Sequence, residues 1–377
     1  MNATTASRSL AGGRDLLDAL VLALRARGHR VVGPRREGAA IVLEPLSSAD
    51  DLPWSLVDVQ APGHYRLARH ESPVAFAHGP PAFSLRRLVS PPEERLVTLR
   101  RKGSQIVVEP EPAAAVPIAV IGAKGCDLRA LRAQDEVFQG GGHPDPRYVA
   151  RRGALFTVGV ACHRPVSTCF CVSRGGDVRP DPADTDLLLT ELSDAEPRYL
   201  LEATTDRGRE VLAAMQGDAA TDDERARASA QDEAAREAIE RALPREAAEA
   251  ALLAADELDD FEDVAARCLS CQSCTAVCPT CFCLTVEEEP SFDGASSTRV
   301  RRRDSCFSPD FSYMHGGSVR DSRAGRYRHW MRHKLATWSS QWGRDGCVGC
   351  GRCSTWCPAG IDFVAEATHH LRPQGDA

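Results

Sequence analysis

Twice in its last 110 residues the chain repeats one spacing, Cys-x-x-Cys-x-x-Cys-x-x-x-Cys-Pro. The first copy sets Cys268, Cys271, Cys274 and Cys278 before Pro279; the second sets Cys347, Cys350, Cys353 and Cys357 before Pro358. Thiolates at this spacing close on the irons of a cubane, and in two-cluster folds the fourth cysteine of each run crosses to the other cluster. The pattern therefore predicts two [4Fe-4S] clusters. One is held by Cys268, Cys271, Cys274 and Cys357, the other by Cys278, Cys347, Cys350 and Cys353. A structural zinc site needs two separated Cys-x-x-Cys pairs, and disulfide frameworks belong to small secreted chains. Neither accounts for the third cysteine and the proline of each run.

At 377 residues the chain has room for two or three domains. A net charge of −7 gives no reason to expect nucleic acid as a partner. Fifteen cysteines suit a reducing cytoplasm, where thiolates stay available to iron. The start, MNATTASRSLAGGRD, carries neither a signal-peptide core nor a twin arginine. No apolar run approaches the roughly 18 residues of a membrane span. The expected location is cytoplasmic, without a membrane span.

The expected fold class is α+β, in three parts. Residues 1–205 read as a mixed α/β domain. Leu16, Leu17, Leu20, Val21 and Leu24 form one stripe of an amphipathic helix over 14–27, stopped at Gly28. The runs 30–32, 40–43, 96–99 and 105–108 read as strands of one mixed sheet. Two buried strands, 116–122 and 155–161, end at Cys126 and Cys162. Residues 206–266 read as a charged helical connector, with helices between Asp222 and Ala266 broken at Pro244. Residues 267–377 read as a ferredoxin-like, α-helical two-cluster domain, split by a long insertion at 279–346.

Seven cysteines lie outside the two runs, and CFC occurs in both TCFCVS (168–173) and TCFCLT (280–285). Cys126 and Cys162 sit at the ends of buried strands, where parallel sheets build sites, and Cys169 and Cys171 follow in one loop. Two readings of these four stand: a third [4Fe-4S] site held by the four thiols, or with Asp127 or His163 standing in for one of them, against small buried hydrophobes. Cys281, Cys283 and Cys306 read as packing around the first cluster, tuning it. Arg267, Arg344 and Arg352 flank the runs and could offset cluster charge. Gly346, Gly349 and Gly351 free amides to face sulfur, and Trp330, Trp338, Trp342 and Trp356 read as shields against water. The basic stretch Arg299–Arg303 reads as a solvated loop or docking patch. No dinucleotide or Walker phrase and no catalytic triad stands out. Clusters without a substrate site describe a non-catalytic electron-transfer subunit.

The segments GAKGCDLRAL (122–131), YVARRG (148–153), CLSCQSCTAVCPTCFC (268–283), DSC (304–306), HGGSVRDSRAGRYRHWMRHK (315–334) and CVGCGRCSTWCPAGIDF (347–363) resemble the iron–sulfur beta subunit of cytoplasmic NADP-linked NiFe sulfhydrogenases. The chain is also similar to the iron–sulfur electron-transfer component of anaerobic sulfite reductase. The resemblance runs from about residue 110 to 365 and omits the first hundred residues and the stretch 217–250. It implies a flavin- and NAD(P)-binding reductase subunit on one side of the relay and NiFe hydrogenase small and large subunits on the other. In the sulfite reductase version the terminal partner is a sirohaem-bearing subunit. A cluster-based redox sensor is a reading of another class.

Overall fold

Val, Ile, Leu and Ala fill the runs Ile118–Lys124 and Leu155–Val160 almost without polar interruption, and these strands form the middle of a seven-stranded sheet. In the computed structural model, which describes residues 9–113, 115–193, 196–255 and 259–371, the strands lie in a fixed order. They run Ser9–Gly12, Arg198–Ala203, Leu187–Leu192, Leu155–Val160, Ile118–Lys124, Arg30–Glu37, Ala40–Pro45. The four strands from Leu187–Leu192 to Arg30–Glu37 are parallel, and antiparallel strands close both edges. Parallel strands are covered on both faces, which is why they read as continuous apolar runs. Ala119 and Ile121 face the helix Arg14–Ala26, whose buried stripe is the expected one. Val120 and Val32 face Leu128, Leu131 and Tyr148 on the opposite side. The sequence expectation about a leader falls partly on residues 1–8, and that about the connector partly on 256–258; both stretches lie outside the described residues.

The expected single mixed sheet needs correction. Glu93–Lys102 and Gln105–Pro110 join a separate antiparallel sheet with Leu284–Pro290 and Ser296–Arg303, in the order Leu284–Pro290, Ser296–Arg303, Glu93–Lys102, Gln105–Pro110. Its side chains are mostly exposed or half-buried, with Val300 an exception, so nothing suits it to a helix-covered core. Cross-strand ion pairs decorate it instead: Arg299 with Glu288, Arg302 with Glu93, Glu287 and Glu289, and Arg301 with Glu94 and Asp145. The basic stretch Arg299–Arg303 is thus a strand with local partners, not a loop.

The connector forms the helices Asp222–Glu237, Arg245–Ala254 and Glu262–Arg267, and the last hands the chain to Cys268. Thr221 and Glu224 close a reciprocal capping box at the first of these. Around the two cysteine runs a second core gathers Leu243, Leu252, Phe261, Phe307, Tyr327, Trp330, Met331, Leu335 and Phe363.

The junction between the seven-stranded unit and the cysteine runs is polar, and its central ion pair is fully matched. Arg352 donates to both carboxylate oxygens of Asp127 at 2.9 and 2.7 Å, and its Nε donates to the Pro81 carbonyl at 2.7 Å. The two side chains are 1% and 2% exposed. Removing one partner of such a pair strands a buried charge. We expect Arg352→Leu to cost about 3–5 kcal/mol, and the double replacement with Asp127→Leu to recover most of it. Anaerobic denaturant unfolding measures both, and an unstable double variant would show that the pair acts through more than its charges.

Candidate metal centres

The two cysteine runs fold alike. Two residues after the first cysteine of each, Ser270 and Gly349 turn left-handed (φ 52° and 69°); four after it, Gln272 and Gly351 do the same (φ 66° and 74°). Each then opens a short helix, Ser273–Val277 or Arg352–Thr355. The first turn aims an amide at sulfur: Ser270 N–H donates to Cys268 Sγ, and Gly349 N–H to Cys347 Sγ, both at 3.4 Å. Such donors stabilise thiolate over thiol.

The runs differ in what covers them. A Cβ on Gly351 would stand 2.3 Å from the Thr168 carbonyl oxygen, and one on Gly349 would stand 2.6 Å from Cys171 Cα. The N-terminal CFC loop therefore lies directly on the second run, and Phe170 N–H donates to the Gly349 carbonyl at 2.9 Å. The first run keeps side chains at the same positions because nothing so close covers it. Leu269 is 64% exposed there, and Cys271 is exposed as well.

Three thiol sets result. Cys268, Cys271, Cys274 and Cys357 line one cavity together with Tyr327 and Trp330. Tyr327 Oη, Trp330 Nε1 and Ser270 Oγ are buried there without a hydrogen-bond partner. Four thiols and three idle donors fit an anionic iron–sulfur group, whose sulfurs accept such bonds. Cys278, Cys347, Cys350 and Cys353 form the second set: burial first, then Cys347, Cys350 and Cys278, push the Cys353 thiol up. Buried thiols resist ionisation until a cation joins them, and bound iron supplies that charge.

The N-terminal four also converge. Cys126, Cys162, Cys169 and Cys171 line a single cavity with Lys124 and Cys350, below the C-terminal edge of the parallel strands. Burial raises the Cys126 and Cys169 thiols and pushes Cys171 up to about 12. Neither proposed substitute takes a thiol's place. Asp127 is committed to Arg352, and His163 turns its Nε2 toward Glu191, 3.7 Å away. Among the described residues no three His, Cys, Asp or Glu side chains converge on one point. The thiols of the Cys268 set and of the Cys126 set stand around cavities instead.

The flanking arginines do not serve as loose counter-cations. Arg267 pairs with Asp263 and Glu366, Arg344 with Glu136, and Arg352 with Asp127. The cation that sequence reasoning missed is Lys334, 3% exposed, whose Nζ donates to Thr280 Oγ1 at 2.7 Å and lies 5.0 Å from the Trp338 ring centroid. Burial opposes its charge, but the sulfurs of Cys278, Cys281, Cys347 and Cys283 outweigh burial and hold the ammonium above its ordinary range. Cys281 sits against Cys278 rather than with the first set: their thiol–thiol hydrogen bond, then Lys334 and Thr280, drive the Cys278 thiol well down. Cys283 pairs with Cys306, whose hydrogen bond lowers Cys283 to about 7. Trp330 and Trp338 are buried, Trp342 is half-buried, and Trp356 stacks on Tyr65 at 4.8 Å.

Comparison with known proteins points to the segment that holds the two cysteine runs. Residues 267–361 match the 4Fe-4S dicluster domain family. Over 248 residues, 65% of this chain and 71% of the relative, the chain is 31% identical to the sulfhydrogenase 2 subunit beta of Pyrococcus furiosus. No solved structure matches it significantly.

The roofed and open runs should respond differently to substitution. Gly351→Ala meets both a left-handed backbone and the Thr168 carbonyl, and should destabilise the chain by about 2 kcal/mol or more. Gln272→Gly at the equivalent open position should be neutral or stabilising. Anaerobic thermal unfolding of the two variants gives the comparison, and equal losses would mean that the N-terminal loop does not bear on the second run.

Proposed function

The chain belongs to the sulfhydrogenase beta-subunit family, and from that premise we propose a relay between a flavin- and NAD(P)-binding reductase subunit and the small and large subunits of a NiFe hydrogenase. The chain is an iron–sulfur electron-transfer subunit with a dicluster domain for two [4Fe-4S] clusters. When bound, the clusters supply one-electron chemistry. In our assignment Cys268, Cys271, Cys274 and Cys357 hold the first and Cys278, Cys347, Cys350 and Cys353 the second. Cys126, Cys162, Cys169 and Cys171 hold a third [4Fe-4S] cluster. Among the described residues no helix is long and apolar enough to cross a membrane, and we place the complex in the cytoplasm.

The observation that carries this reading is the contiguity of the three sets. Cys350 belongs to the second set and also lines the N-terminal cavity, while Cys353 belongs to the second set and also lines the first. Neighbouring sites are thus separated by single side chains, and the series ends at the exposed Cys271. The residues between them exclude water and fix the ligands. Phe170 is fully buried over the second run, Trp330 closes the first, and no dinucleotide-binding phrase or catalytic constellation accompanies them.

Iron content distinguishes the third site. Three cubanes require about 12 irons per chain, and Cys169→Ser should leave about eight. A wild-type value near eight, unchanged by Cys169→Ser, would reduce the N-terminal cysteines to buried thiols. Cys350→Ser should interrupt electron flow from reduced pyridine nucleotide to the terminal acceptor while the flavin subunit's dye reduction survives. Unchanged overall turnover in the assembled complex would defeat the relay.

A further inference from the structure

Lys334 occupies a position where a hydrophobe would be expected. Along the chain Tyr327, Trp330, Met331, Lys334 and Trp338 fall at the spacings of one helical face, and all are buried. A π-turn over His333–Thr337 carries Lys334 between the helices Arg323–Arg332 and Trp338–Trp342. Unusual turns of this kind concentrate at functional sites. Leucine or methionine would complete the stripe at no electrostatic cost, whereas a buried ammonium requires an anion.

No carboxylate pairs with Lys334 among the described residues. Its partners are the Thr280 hydroxyl at 2.7 Å and, through that oxygen, Cys278 Sγ at 3.3 Å. Arg86 approaches the same end from the seven-stranded unit. It is 4% exposed, donates to the carbonyls of Cys281 and Ala276 at 2.5 and 2.6 Å, and has no carboxylate partner among the described residues. Two buried cations without carboxylates therefore face one cysteine pair, Cys278 and Cys281. Among the described residues no lysine or arginine lines the first cavity. Arg323, exposed, donates to the Cys268 carbonyl at 3.0 Å, and Arg267 is neutralised by Asp263 and Glu366.

We propose that Lys334 is the fixed charge that draws the reducing electron to the site of Cys278, Cys347, Cys350 and Cys353 and away from that of Cys268, Cys271, Cys274 and Cys357. The inference rests on the ligand assignment proposed above and deepens it by ordering the two sites. Each added electron makes a site more negative, so the site beside the uncompensated cation accepts it more readily. Lys334 acts as a positioning residue for charge and touches no substrate.

The test uses the full-length chain, purified anaerobically, with EPR-monitored redox titration and iron analysis. Lys334→Met should lower the ratio of reduced second site to reduced first site about tenfold. That is the size a unit charge roughly 10 Å away produces at an effective dielectric near 20, equal to about 59 mV for one electron. Lys334→Arg, which keeps the charge, should restore the ratio to within about threefold of wild type. An unchanged ratio in Lys334→Met at full iron content would overturn the proposal. A second measurement needs no change at Lys334. The EPR signal of the first reducing equivalent should be the same in wild type and in Cys271→Ser, because that electron sits on the other site. A first signal altered by Cys271→Ser would also overturn it. Wild-type iron below two cubanes would instead strike the ligand assignment itself.

Discussion

Charge burial is the constraint on which the C-terminal half of this fold depends. Cysteine sulfurs enclosed by Trp330, Phe307, Phe363 and the N-terminal CFC loop lose water as a stabilising partner. Every charge taken inside must then meet an opposite charge or a hydrogen-bond donor. The chain meets that demand in two ways. Where arginine serves structure, it is matched to a carboxylate, as Arg352 is to Asp127 and Arg174 to Asp345. Two buried cations without a carboxylate, Lys334 and Arg86, lie among cysteine sulfurs. The second arrangement would be strongly unfavourable around neutral thiols alone, and it becomes reasonable when the sulfurs carry the charge of a cluster.

How much of this could be read from the sequence depends on the distance between interacting residues. The two runs were legible because their ligands are spaced within a single turn or loop. Cys126 and Cys162 were legible for a related reason: a continuous apolar strand followed by a small residue places what comes next at the sheet edge. The second sheet was not legible. Thr98 pairs with Thr298, and nothing in the run around Thr98 records a partner 200 positions away. The same blindness misassigned Arg352, whose partner Asp127 is 225 positions away. Lys334 had a local signal, a lysine on an apolar helical stripe, but reading it required knowing which face of that helix is covered.

The glycine pattern records which run is enclosed. Both runs adopt left-handed turns at equivalent positions, so the ligand geometry alone does not demand glycine; Ser270 and Gln272 manage without it. Glycine appears at 349 and 351 where Cys171 and Thr168 press against the backbone. One run is thus built to be covered by the seven-stranded unit and the other to remain at the surface. This asymmetry gives a pseudo-symmetric pair of sites an inner and an outer end, which a relay between two partners requires.

The insertion at 279–346 follows from the same logic. A minimal two-cluster module would join Pro279 to Gly346 by a short loop. Here the intervening segment supplies Tyr327 and Trp330 to the first cavity and Thr280 and Lys334 to the second set. It also supplies the strand Ser296–Arg303 that pairs with Glu93–Lys102, and that strand's other neighbour, Leu284–Pro290. One continuous stretch therefore walls both sites, carries the buried cation, and ties them to the N-terminal half through a sheet that starts beside Cys283. Removing it would strip Tyr327 and Trp330 from the first cavity and Lys334 from the second set, leaving the N-terminal CFC loop against the second run and Arg86 near Cys278 as what remains.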